Sequence, residues 1–105
     1  MIPHVSPEAG ADLDEMESWL TENWGPIAAA NAIEAVLAKI AALPEMPLAG
    51  TPRPEFGEAV RFVTTGRYFI YYEAAGQALA VLRILHSARN RDAIMRKQSN
   101  EETGS

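Results

Sequence analysis

The sequence predicts an α+β domain: an N-terminal strand and a two-helix hairpin packed on an antiparallel sheet of three to four strands. Three observations carry this. Leu79–Ala80–Val81–Leu82–Arg83–Ile84–Leu85–His86 is a short apolar run broken only by Arg83 before His86, the pattern of a strand buried on both faces. Two earlier stretches place apolar residues three and four apart, the spacing of amphipathic helices. Between helices and strands lies a segment with Pro44, Pro47, Pro52, Pro54, Gly50 and Gly57, which excludes long regular elements.

In chain order, Ile2 to Ser6 predicts a short first strand, with Pro3 suiting a sheet edge. Ser6–Pro7–Glu8 is a helix start: a Ser N-cap, Pro in the first turn, and an acid at the positive end of the helix dipole. Ala9, Leu13, Met16, Leu20 and Trp24 then form the buried stripe of the first helix, and Asp12, Asp14, Glu15, Glu17 and Glu22 its solvated face. Trp19 lies off that stripe and is expected to pack on the second helix. Gly25–Pro26 separates the helices, and Ile33, Val36, Leu37, Ile40 and Leu43 give Ile27–Leu43 its own stripe before Pro44 stops it.

After the Pro/Gly loop, pinned by Leu48 and Phe56, residues 60–64 alternate, Thr65–Gly66 turns the chain into 67–73, and Ala75–Gly76 turns it into 79–85. Two consecutive hairpins make an antiparallel meander with the last strand as its centre. Tyrosines on both faces of the strand over 67–73 predict one face on the helices and the other partly open. Asn90 to Arg96 can form one helical turn. The domain is expected to span residues 1–97, with 98–105 a disordered polar tail.

At 105 residues there is length for one core. There is no unbroken apolar run near 18 residues, no basic-then-apolar leader and no cysteine, so the expectation is a cytoplasmic protein without a membrane span or disulfides. Net charge is −5, divided into −7 over residues 1–52 and +2 over residues 53–105. An acidic chain is a poor strong binder of nucleic acid, which rests on many phosphate contacts, but the basic half leaves room for a local anion.

The candidate site residues are basic. Arg83, His86 and Arg89 gather where the last strand ends, and Arg61, Arg67 and Arg83 on successive strands can converge on one sheet face. Two roles stay open for His86. It is either a general base beside arginines that stabilise a developing phosphate charge, or a strand-end cap bonded to nearby backbone. The arginines are either a binding cluster or surface cations paired with Glu58 and Glu73. No phosphate loop, metal-ligand spacing or Ser–His–Asp arrangement is present, and no cofactor or metal is implied.

Ser6–Pro7–Glu8–Ala9, Gly66–Arg67–Tyr68–x–Ile70–x–Tyr72 and Val81–Leu82–Arg83–Ile84–Leu85–His86–Ser87–Ala88–Arg89, in that order, resemble the ParE/RelE superfamily of toxin–antitoxin toxins, closest to ParE, over residues 1–92. The resemblance implies a sheet embraced by a helical hairpin and a cognate ParD-like antitoxin that neutralises the toxin in a hetero-oligomer. It also implies plasmid stabilisation through inhibition of DNA gyrase without catalysis. Arg61, Arg67, Arg83, His86 and Arg89 would then bind target or antitoxin. The alternative is a RelE-like ribosome-dependent ribonuclease using His86, Arg83 and Arg89. The last tyrosine is Tyr72 and the chain is acidic, and both depart from the RelE pattern.

Overall fold

Ser6 Oγ accepts the Ala9 amide at 3.0 Å and caps the first helix, α1 (Pro7–Trp24), as Ser–Pro–Glu predicts. The computed structural model describes residues 2–104, with side chains through residue 99. The same hydroxyl donates to the Leu82 carbonyl at 3.0 Å, so the helix start is tied to the end of the sheet. Strand β1 (Pro3–Val5) precedes α1, and Gly25 alone separates α1 from α2 (Pro26–Ala42). Leu43 opens a 3-10 turn (Leu43–Glu45) instead of closing the helix. The stretch Pro26–Glu45 reaches a mean hydropathy of 1.5 and the length of a membrane span, which a search for unbroken apolar runs passes over. Alanines supply much of that hydropathy, and Ala29, Val36 and Ile40 are buried in the protein core.

The Pro/Gly segment is less irregular than expected. It contains a two-residue strand, β2 (Thr51–Pro52), and a second 3-10 turn (Pro54–Phe56) before β3 (Val60–Thr65), β4 (Tyr68–Ala75) and β5 (Ala78–His86). Pro52 is tolerated because β2 is an edge strand. Each hairpin turn starts on a glycine in the left-handed region, Gly66 at φ 57° and Gly76 at φ 60°, where a side chain would be strained.

The sheet has five strands in the order β1-β5-β4-β3-β2 and is mixed, which corrects the expected three- to four-stranded antiparallel sheet. β3, β4 and β5 form the antiparallel meander, whereas β1 runs parallel to β5 with Pro3 opposite Leu79 and Val5 opposite Val81. A three-residue strand carries no directional signal of its own. β4, not β5, is therefore the middle strand.

The register between β4 and β5 slips by one residue: Tyr71 faces Arg83, but Tyr72 faces Val81, leaving Leu82 as a bulge. Strict alternation would put Val81, Arg83 and Leu85 on one face. With the bulge, Val81 and Ile84 join Ile70, Tyr72 and Leu79 under the helical hairpin, while Leu82 and Leu85 join Tyr71 on the other side. That second side is partly open, as expected, around the half-buried Phe62 and Phe69. Phe56 and Met95 cover the rest, and Met95 belongs to α3 (Arg91–Gly104), several turns long where one was expected. Residues 98 and 99 are thus helical, not a disordered tail, and Gln98 is buried. Burying Ile94 and Met95 against the sheet is what a polar composition concealed. Helix α3 continues to Gly104; the part of the tail expectation that concerns Ser105 and the side chains of 100–104 lies outside the described residues.

Candidate functional site

The five nominated basic residues fall into different environments. Arg83, turned by the bulge, is bound to Asp12 of α1: Nε and Nη2 each donate to a carboxylate oxygen at 2.8 Å. Asp12 also accepts the Ile84 amide at 2.9 Å. β1 has ended by this point, so a helix carboxylate takes the place of the missing strand partner on the edge of β5. The hydrogen bond to Asp12 raises the Arg83 pKa, burial opposes it, and attraction from Asp12, Glu8 and Glu15 adds to the rise. Asp12 was expected on the solvated face; it is buried because this pair of oxygens satisfies three donors.

Arg61 is also engaged. Its Nη1 donates to the carbonyls of Leu48 at 3.0 Å and Gly50 at 2.8 Å, holding the Pro/Gly segment to the sheet. Tyr72 completes that anchor by accepting the Gly50 amide and donating to the Pro47 carbonyl. Arg67 and Arg89 are exposed and make no side-chain hydrogen bond or ion pair among the described residues. The expected convergence of Arg61, Arg67 and Arg83 does not occur.

His86 Nδ1 accepts the Ala88 amide at 2.9 Å, and its ring meets Tyr68 edge-on at 5.2 Å and 87°. Nδ1 is therefore the unprotonated nitrogen and the proton sits on Nε2. Burial raises the Tyr68 phenol pKa. These two rings, with Trp19, are shared by two adjoining clefts. One, of about 360 Å³, lies between α1 and the end of β5 and is bordered by Met16, Ile84, Glu15 and Arg89. The other, of about 580 Å³, runs to the β3–β4 turn and α2 past Trp24, Ala32, Ala35 and Arg67. Together they form an apolar groove with Arg89 lining one cleft and Arg67 the other, neither paired among the described residues.

Trp19 and Trp24 are 52% and 70% exposed, so neither is core packing. The last member of the α1 stripe faces the groove. The signal available for Trp19 was its position off the stripe, where an apolar side chain has no core to enter. His86 and Arg89 border the same cleft, but Arg83 does not, so the three residues of the ribonuclease alternative are not assembled around one cavity. What the groove offers is apolar area, aromatic edges and separated charges, the equipment of a peptide-binding surface.

A profile of the ParE toxin of type II toxin–antitoxin systems, parDE, matches residues 4–91. The chain belongs to the ParE toxin family. Among ParE relatives, Toxin ParE1 of Caulobacter vibrioides is 28% identical over 86 residues, covering 82% of this chain and 88% of that protein. A solved chain from the chromosomal ParDE toxin–antitoxin system of P. aeruginosa superposes with a TM-score of 0.71 at 24% identity, covering 82% of this chain and 95% of that one. The two chains thus share a fold over the matched span.

Proposed function

We propose that this ParE-family chain is held inactive by a ParD-like antitoxin whose C-terminal segment lies in the groove around Trp19, Tyr68 and His86. The free toxin acts by binding DNA gyrase, not by catalysis, in the cytoplasm where gyrase works, as part of a plasmid-stabilising module. The observation that carries this is the groove itself: apolar, aromatic and open, with Arg67 and Arg89 unpaired among the described residues. It fits an amphipathic segment that orders on docking and carries acids near both ends. Arg83, which a ribonuclease would need at the reacting phosphate, is occupied by Asp12.

Trp19→Asp is expected to weaken capture by the co-expressed antitoxin by about a hundredfold, since a central aromatic anchor contributes most of such an interface. The thermal transition should be unchanged, because Trp19 is half exposed. Unaltered capture would remove the groove from the account. Expression of the chain alone should relax chromosomal supercoiling and leave messenger RNA intact; rapid message cleavage with normal supercoiling would overturn the gyrase target.

A further inference from the structure

On the opposite side of the sheet from the groove, where α3 begins, three guanidinium groups surround a cavity of about 390 Å³, and among the described residues no carboxylate is bound to any of them. Arg53 lies 4.8 Å from the Phe62 ring centre, and Arg91 lies 3.8 Å from that of Phe69. A guanidinium stacked on a ring keeps its in-plane N–H groups free for an oxygen acceptor. Among the described residues, the Arg53 side chain bonds only the carbonyl of its neighbour Pro52, and that of Arg91 only the carbonyl of Ser87. Arg91 Nε is buried without a hydrogen-bond partner. Arg89 completes the ring. Of the two acids at the rim, Asp92 is held by Arg96 at 2.7 Å, leaving Glu55 against three cations.

We propose that this cavity is a binding site for a phosphate-type oxyanion, taken up between the stacked Arg53 and Arg91 with Arg89 closing over it. Stacking fixes the two planes before the ligand arrives, so less side-chain freedom is lost on binding than for arginines in solvent. Phosphate is favoured over carboxylate because three guanidinium groups line the cavity, and a phosphate offers them more oxygens than a carboxylate does. The chain's net charge of −5 keeps the attraction local and opposes general nucleic-acid affinity. The site shares Arg89 with the antitoxin groove, whereas Arg53 and Arg91 border this cavity alone, so substitutions at those two separate the failure of one reading from the failure of the other.

The test is a titration of the full chain with inorganic phosphate, followed by amide and arginine Nε chemical shifts, with acetate at equal ionic strength as the control. Saturable shifts in residues 87–92 and at Arg53, seen with phosphate and not with acetate, are expected. Arg53→Gln and Arg91→Gln should each weaken phosphate binding by about tenfold, the loss of one charge-assisted contact, while Lys39→Gln on α2 should leave it unchanged. Arg53→Gln keeps the test valid if Arg91→Gln disturbs the fold. A short single-stranded oligonucleotide is the second arm: tighter binding than phosphate identifies a nucleic-acid backbone as the source, and equal or weaker binding identifies free phosphate. Shifts that do not saturate, that acetate reproduces, or that survive both arginine substitutions in folded protein would overturn the proposal.

Discussion

Asp12 holds three donors with one carboxylate, so its loss leaves more behind than it removes. Asp12→Ala strands the Arg83 guanidinium and the Ile84 amide in a largely buried setting, and breaking a buried pair from one side costs about 3–5 kcal/mol. For a domain stable by about 5–15 kcal/mol this is a large share, and urea unfolding is expected to show it as a lowered midpoint. Asp12→Ala combined with Arg83→Met should recover part of the loss, because no charge is then left unpaired. Arg83's raised pKa means that the stability gained from its protonation is complete below its unfolded value and is lost only as pH rises through the folded one. The titration of Arg83 therefore adds no slope to stability near neutral pH.

Tyr72 and Gly50 make a second residue-scale prediction. A Cβ on Gly50 would stand 2.6 Å from the Tyr72 hydroxyl and 2.8 Å from the Phe62 carbonyl. Gly50→Ala must therefore push the loop off the sheet, at about 1–3 kcal/mol. Tyr72→Phe keeps the ring but leaves the Gly50 amide and Pro47 carbonyl unpaired, at a similar cost of about 1–3 kcal/mol. Thermal unfolding of both variants checks this; an unchanged transition in either would mean the loop is not anchored there. Neither Asp12 nor Gly50 could be singled out from sequence. One is an acid among acids and the other a glycine among prolines, and their partners lie 71 and 22 residues away.

At the scale of elements, what depends on neighbours in the chain was legible. Ser6 as a cap, the break at Gly25–Pro26 and the glycine turns were all written locally, and each is where the structure places it. α3 was not. Its sequence is polar except for a few positions, and only Ile94 and Met95 show that the second face of the sheet needs a cover. Met95 is fully enclosed, so Met95→Ala should cost about 2–5 kcal/mol and raise binding of a hydrophobic dye. A native denaturation midpoint would show that α3 is not docked on the sheet. Of the nominated site, Arg67, His86 and Arg89 reach the groove, while Arg61 and Arg83 serve the scaffold. Residue type announced a cation in each case, but only the bulge and the loop path decide which cations are already taken.

For the whole molecule, one sheet separates two surfaces of different chemistry. The side under the hairpin opens into an apolar, aromatic groove; the side under α3 carries stacked arginines around a polar cavity. The sequence predicted the layers and the meander because helical and strand periods are local properties. It predicted neither the parallel β1 nor the middle position of β4, because both depend on which distant strand supplies the edge.

That parallel edge also sets a timetable. β1 pairs with residues 79–81 and Ser6 with Leu82, so β1 has no partner until β5 leaves the ribosome. At about 5–20 residues per second, roughly 4–15 s separate the two. During that interval α1 and α2 can pair with each other, but the surface that Val81, Ile84 and Arg83 will cover stays bare. A nascent chain thus lacks a finished sheet until β5 has been made.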